Sequence, residues 1–126
     1  MNFEEALRYE LNSIDEIKNK IYPLYAPQEV ISPFLVYKKT MLKYLMTIDG
    51  RLNGIEAEYG LVLITKTYAE AQNISKKIMD VVFDMFARNI GDNGPYIQAI
   101  EIVNLGDEYE YETECFRTNF KIEVKY

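Results

Sequence analysis

The chain has 126 residues, 48% of them hydrophobic, which predicts one folded domain over residues 1–126 with a sizeable core. Its 20 acidic residues outnumber 14 basic ones, and the net charge of −6 argues against binding nucleic acid or an anionic membrane, because both require clustered Lys and Arg. Cys115 is the only cysteine, which excludes an intrachain disulfide. The sequence has no signal-peptide pattern and no apolar stretch of bilayer length, so we expect an intracellular protein with no membrane association.

The first predicted element is a helix over Phe3–Leu11. Asn2 and Glu5 have the spacing of a capping box, and apolar residues follow at intervals of three and four. A second capping signal at Ser13 predicts a break and then a short helical turn that ends near Asn19. One unbroken helix is the alternative.

A group of short β-rich runs follows the first helix. The prolines of Ile21–Pro27 predict an extended or turn-like path, because each disfavours helical backbone in the residue before it. Candidate strands lie at Phe34–Tyr37 and Tyr44–Ile48. The turn dipeptides Asp49-Gly50 and Asn53-Gly54 come next, and either could close a hairpin.

The middle of the chain is predicted to be a strand followed by the longest helix. The strand spans about Glu56 to Lys66, and the apolar, β-branched run in its second half predicts burial on both faces. A capping box at Thr67 then begins a helix of about 21 residues, which ends at Arg88 and is ~31 Å long. A second apolar stripe on this helix is either core, the simpler interpretation, or a subunit interface. Its members are Met79, Phe83 and Phe86.

Two further strands complete the predicted sheet. The first spans Tyr96–Asn104, an irregular acidic segment covers Leu105–Thr113, and the last strand alternates apolar and polar residues from Phe116 to Tyr126. The order of elements predicts an α+β fold. In this fold an antiparallel sheet carries the N-terminal helix and the long central helix packed on it.

Four sequence landmarks occur together in a recognisable order. They are Ile21-Tyr22-Pro23 with Ala26-Pro27-Gln28, Pro33-Phe34-Leu35-Val36-Tyr37, the junction Thr67-Tyr68-Ala69-Glu70-Ala71, and the acidic-aromatic stretch before the final strand. With these landmarks nearly the whole chain resembles the tail completion, or tail terminator, proteins of long-tailed bacteriophages and prophages.

The resemblance implies a structural protein without catalytic residues. It implies a homohexameric ring that caps the tail tube, stops tube polymerisation and offers a surface for head-tail joining. The implied partners are the chain itself, the tail tube protein and a head-side connector protein, and the free chain is either a monomer or a ring. The implied location is the tail or neck of a virion assembled in the bacterial cytoplasm.

An acidic segment, residues 107–114, places a carboxylate at every second position. If the segment is extended, one face carries acidic side chains and the other tyrosines. The simplest interpretation is a solvated hairpin tip whose charge discourages edge-to-edge aggregation. The alternative is an arm whose tyrosines dock a neighbour while its carboxylates line the ring lumen and repel DNA phosphates. The carboxylates are Glu108, Glu110, Glu112 and Glu114, and the tyrosines are Tyr109 and Tyr111. A divalent-cation site is disfavoured, since the segment lacks the Gly-punctuated spacing of calcium loops.

Two tyrosines beside the prolines, Tyr22 and Tyr25, are further interface candidates, because a proline-stiffened loop loses little entropy on docking. Alternatively, they cover the sheet edge.

Enzymatic signals are absent from the sequence. The chain has no histidine, and it lacks a glycine-rich phosphate loop, a serine elbow and a zinc-binding helix motif. Asp80 and Asp84 could form a carboxylate pair, although a solvated helix edge explains them better. We therefore predict no catalytic residue, no metal and no cofactor. The rival functions are a neck or stopper protein and, less favoured, a small ligand-binding or enzymatic α+β domain.

Overall fold

The fold is a single five-stranded sheet with two helices. A computed structural model describes all 126 residues. The elements are α1 (Phe3–Leu11), β1 (Ile21–Pro23), β2 (Phe34–Met46), β3 (Leu52–Thr65), α2 (Tyr68–Asp84), β4 (Ala99–Glu110) and β5 (Cys115–Lys125), with a 3₁₀ turn at Asp15–Ile17. The strand order is β1-β2-β3-β5-β4. The predicted α+β class is confirmed, as is the break between α1 and the short turn.

The sheet is mixed rather than wholly antiparallel. β1 runs parallel to β2, while the other neighbouring strands are antiparallel. The reason lies in residues 24–33, which carry the chain back along the sheet before β2 begins, so both strands point the same way.

Both helices pack on one face of the sheet, which we call the inner face. The inward residues of β3 and β5 alternate as a period of two requires, and this confirms the predicted alternation of the last strand. The large, fully buried residues of these strands are Tyr59, Leu61, Leu63, Phe120 and Ile122, and they meet Leu7, Leu11, Ile74 and Ile78 of the helices.

The opposite, outer face of the sheet has no second layer. β3 is a central strand, as its composition suggests, but the prediction that it is buried on both faces is wrong. Its residues alternate between buried and partly exposed, and Gly60, Val62 and Ile64 lie on the partly exposed side. The apolar run therefore includes side chains that this chain leaves partly exposed.

Three strands are longer than predicted, and the first of them, β3, begins at Leu52 rather than near Glu56. The candidate strands Phe34–Tyr37 and Tyr44–Ile48 are parts of one strand, β2, whose middle is held by pairing with β3 and which contains a bulge at Thr40. β4 continues to Glu110 by pairing with β5, so the prediction of an irregular segment from Leu105 is wrong. In both places cross-strand pairing outweighs the weak β-propensity of charged residues.

The remaining differences between prediction and structure concern one turn and the ends of α2. Gly50, with φ of +83°, closes the β2–β3 hairpin, whereas Gly54 lies inside β3. α2 ends at Asp84, earlier than predicted, because Ala87 adopts left-handed backbone with φ of +61°. At the start of α2 the Glu70 amide donates to the Thr67 hydroxyl at 3.1 Å, but the Glu70 carboxylate accepts from the Lys66 amide and not from that of Thr67. Only the Thr67 half of the predicted capping box is therefore present.

A half-buried ion pair ties α1 to the segment after α2. The Glu10 side chain, 13% exposed, accepts hydrogen bonds from Arg88 Nη2 and from the Gly91 amide at 2.8 Å. Burial opposes ionisation of Glu10, but the hydrogen bonds from Arg88 and Gly91 and the charge of Arg88 outweigh it and hold the pKa of Glu10 below its ordinary value of 4.5. Arg88 also meets the exposed carboxylate of Asp84 at 3.1 Å.

Candidate assembly surfaces

The outer face carries an apolar groove of about 480 Å³. Its floor is the sheet itself, where Val36 of β2 lies opposite Val62 of β3 and Phe34 opposite Ile64. Its rim is the loop after β1, which contributes Leu24, Tyr25 and Ala26. An apolar floor that no element of the chain covers is typical of a protein-binding surface.

The two candidate tyrosines of the proline-rich segment are separated by the structure. Tyr25 is 77% exposed on the groove rim, where it could anchor a partner. Tyr22 is half-buried within β1, as the edge-covering alternative predicts. Only Tyr25 contributes to the groove.

The charged groups of the groove lie at one end. Arg117 Nη1 is 3.7 Å from Glu110 Oε2, and both side chains are partly exposed. Arg117 Nε is buried and has no hydrogen-bond partner.

A long hairpin, residues 39–54, lies at one end of the sheet, and we call it the arm. Beyond the row Tyr44–Ile55 it projects past the end of β5. Its β3 half leaves β5 at Ile55, whose amide donates to the Tyr126 carbonyl at 2.7 Å. The arm carries three basic residues and one acidic residue, and its exposed apolar side chains are Met41, Leu42, Tyr44, Met46, Ile48 and Leu52.

The arm is apolar on both of its faces. Leu42 pairs with Ala57, which points to the inner face, whereas Met41 pairs with Glu58 of the outer face. The bulge at Thr40 determines which residues of the arm face each side of the sheet. The Thr40 hydroxyl donates to the Glu58 carboxylate at 2.7 Å. A two-stranded ribbon is marginally stable alone in water, so the arm is an element that a partner would stabilise.

The acidic segment 107–114 is the tip of the β4–β5 hairpin at the opposite end of the sheet. Glu108 and Glu110 belong to β4, and residues 111–114 form a turn in which Glu114 has φ of +55°. The extended arrangement therefore stops at Glu110, and Glu112 and Glu114 lie on the turn. With Asp107 the segment has five acidic residues and no basic residue.

The tyrosines of the tip form an aromatic cluster with the start of β5. Tyr109 packs edge-on against Tyr111 at 4.9 Å between ring centroids and against Phe116 at 5.0 Å. Tyr111 is 85% exposed at the end of the cluster, and Tyr109 is partly covered. The cluster makes Tyr109 a packing residue first and leaves Tyr111 as the exposed anchor.

The second apolar stripe of α2 also contains both packed and exposed side chains. Met79 packs against the core, as the simpler interpretation predicts. Phe83 is 80% exposed beside the free edge of β4, and Phe86 is also exposed beyond the end of α2. These two rings form a second exposed apolar surface, which we call the α2 patch.

Groups that could perform chemistry are not assembled into a site. Asp80 pairs with Lys76 and Asp84 with Arg88, so the two carboxylates are each occupied by a separate cation. No group of three His, Cys, Asp or Glu side chains has an arrangement that could hold a metal ion. None of the helices is long and apolar enough to span a bilayer.

The arm is an exposed apolar surface that sequence reasoning missed. The sequence does contain a signal for it: around Met41 and Leu42, apolar residues occur at successive positions, so both faces of the strand carry them. The sequence nevertheless predicts two short strands here, because Lys38, Lys39 and Lys43 interrupt the apolar pattern.

Comparison with known proteins finds the fold in a virus-like particle. A chain from a structure described as the virion of a native gene transfer agent (GTA) particle superimposes with a TM-score of 0.71, over 98% of this chain and 92% of that chain. Sequence identity is 9%, so the likeness concerns the fold. No family model matches the chain, and no curated protein sequence does.

Proposed function

We propose that this chain is a structural protein of a phage or prophage virion, and specifically a tail terminator that caps the tail tube. The observation that carries the proposal is the likeness to a chain of a gene transfer agent virion over nearly the full length of both chains. The sequence landmarks favour the terminator among virion proteins, and their order along the chain is the support for that finer assignment.

The mechanism of capping is geometric. A subunit with two different, complementary surfaces makes a heterologous contact, and a fixed rotation per contact closes a ring instead of a filament. The closed ring would present one side to the last ring of the tube and the other to the head-side connector. A homohexamer is the expected closure. If the free chain is monomeric, each contact is weak alone and the tube end raises the effective concentration of subunits.

The absence of a buried polar pocket counts against the ligand-binding or enzymatic alternative. The buried polar side chains are Thr65, Ser75 and Thr118, none of which titrates near neutral pH. The apolar cluster between the helices and the sheet is continuous. A core of this kind supports a structural role.

The acidic tip has a proposed place in the ring. Carboxylates that faced the lumen would repel the phosphates of DNA in transit, so the channel wall would not retain the genome. Glu112 and Glu114 on the turn are the best candidates for this position, because Glu110 already pairs with Arg117.

The test is assembly on the matching tail tube. The purified chain is measured by light scattering at low and high concentration, alone and with tubes, and tube ends are imaged by electron microscopy. We expect ring-sized particles, alone or on tube ends, and tubes that no longer elongate when tube subunits are added. Binding to the portal vertex without binding to tube ends would assign a stopper instead. A chain that stays monomeric and binds neither would overturn the virion role.

A further inference from the structure

We infer that the arm of one copy docks in the outer-face groove of the next copy, and that this arm-in-groove contact is the heterologous interface. The inference specifies the self-contact of the proposed ring and rests on that proposal only for the closure into a ring. The projecting part of the arm, beyond the row Tyr44–Ile55, shares no residue with the groove, so one subunit can use both at once with two different neighbours.

The arm cannot fill the groove of its own chain. Along β2 the groove spans Phe34 to Thr40, and the projecting part of the arm continues from Tyr44 along the same strand, away from the groove. Both surfaces are apolar and uncovered. A second copy supplies both missing surfaces with no other protein, which makes it the simplest occupant.

The dimensions of the two surfaces are compatible. The arm extends from the row Tyr44–Ile55, the last row tied to β5, to Ile48 at the turn, which is ~13 Å at about 3.3 Å per residue. The groove floor extends from Phe34 to Thr40, which is ~20 Å. The projecting part of the arm is therefore short enough to lie on the floor.

The charges of the two surfaces are complementary. The arm carries Lys39, Lys43 and Arg51 against Asp49. Arg51 pairs with Asp49 at 3.3 Å, so the net charge of the arm comes from Lys39 and Lys43. The groove ends beside two carboxylates of the acidic tip that lie on β4: Glu108 opposite Arg117, and Glu110, which pairs with Arg117. A basic arm gains attraction from this end of the groove, while Glu112 and Glu114 on the turn stay free to face the lumen. Two arms or two tips repel each other, which disfavours symmetric pairing.

The groove also has an exposed donor. The Arg117 guanidinium is partly exposed at the end of the groove, and a backbone carbonyl of a docked arm could accept a hydrogen bond from it. The arm has such carbonyls free, since β1 pairs with β2 only through Tyr37 and leaves the rest of that edge open.

The decisive experiment uses two variants of the full chain that each lack one half of the contact. Ile48→Asp places a charge at the arm tip, and Tyr25→Asp places one on the groove rim; both side chains are exposed, so folding should not change. Phe83→Asp on the α2 patch is the matched control, because it is equally exposed but outside the contact.

Sedimentation velocity distinguishes the outcomes. At a concentration where the native chain assembles, we expect each contact variant alone to be monomeric and the Phe83 variant to assemble normally. A mixture of the two contact variants should give a discrete dimer, because one intact arm meets one intact groove and growth then stops. A weak contact is captured by oxidising a Cys115→Ser chain that carries both Ile48→Cys and Val36→Cys, with either cysteine alone as control. We expect a ladder of linked oligomers from the double variant only.

Failure of the inference is separable from failure of the proposed function. Normal assembly of Ile48→Asp and Tyr25→Asp would overturn the arm-in-groove contact while a ring on tube ends still stood. Loss of assembly in Phe83→Asp alone would assign the interface to the α2 patch and equally overturn it. If the native chain gave no oligomers and the double-cysteine variant gave no cross-links, the arm-in-groove contact would also be overturned. Binding to tube ends would still test the proposed function independently.

Discussion

Replacing Glu10 with Gln should destabilise the fold far more than replacing Asp84 with Asn, although both carboxylates bind the same Arg88. The Glu10 side chain is 13% exposed and also accepts the Gly91 amide, whereas the Asp84 side chain is 78% exposed. Glu10→Gln keeps the shape but removes the charge from a partly buried pair. Since Arg88 retains Asp84, we expect a loss of about 2 kcal/mol, within the range for charge-assisted hydrogen bonds. Asp84→Asn should cost at most ~0.5 kcal/mol, as exposed pairs do.

Urea unfolding at pH 7, followed by circular dichroism, measures the difference. With an m-value of ~2 kcal/mol per molar for a domain of this size, Glu10→Gln should lower the midpoint by about 1 M and Asp84→Asn by no more than a quarter of that. Because the folded pKa of Glu10 is depressed, its contribution is complete above pH 4.5 and is lost as pH falls through the folded value. The native and Glu10→Gln midpoints should therefore converge in acid. Equal losses in the two variants, or a difference that persists as Glu10 protonates, would refute this reasoning.

Three further predictions concern packing and ionisation. Gly94→Ala should cost more than 2 kcal/mol by thermal or urea unfolding, because its Cβ would lie 2.1 Å from the Ile90 carbonyl oxygen, whereas Gly60→Ala, with nothing within 4 Å, should be neutral or stabilising by ~0.5 kcal/mol. Ser75→Ala should raise the free energy of unfolding by about 1 kcal/mol, since its buried hydroxyl has no hydrogen-bond partner. Burial raises the pKa of Tyr37, Tyr59 and Tyr126 above 10, so an absorbance titration should find three tyrosines that ionise at a higher pH in the folded chain than in urea. Because the unfolded chain loses these protons first, stability should fall as pH rises above 10.

Local signals predicted the elements whose structure depends on neighbouring residues. The capping pair Asn2 and Glu5 makes both of its reciprocal bonds, and the alternation after Cys115 gives β5 with its inner face buried. The break at Ser13 is also present. In each case a few adjacent residues determine the backbone, so the sequence contains the information within one window.

Features set by distant pairing could not be predicted in the same way. Lys38 to Lys43 form strand because β3 lies beside them, and Leu105 to Glu110 do so because β5 lies beside them. Neither segment has a strong β pattern of its own, and local propensity for strands is weaker than tertiary context. The parallel pairing of β1 depends likewise on where residues 24–33 return.

The candidate interface residues were predicted by type but not by location. Exposed aromatic residues such as Tyr25, Phe83 and Tyr111 were identified, while Tyr22 and Met79 are partly buried. Residue type alone cannot distinguish a ring that covers its own sheet from one that would cover a neighbour's. The distinction depends on which side of an element the helices occupy.

The wrong prediction for β3 bears on the assembly itself. Its second half, including Val62 and Ile64, has the composition of a strand buried on both faces, yet the chain alone covers only the inner face. In the proposed ring the arm of a neighbour would cover the outer face, so the strand would be buried on both sides as its composition suggests. On this view the sequence encodes the burial of the assembled subunit, and the same argument extends to the arm, whose apolar residues Met41 and Ile48 have no cover within one chain. A composition that exceeds the burial of the monomer at two surfaces, where each could cover the other, is what a self-assembling subunit requires.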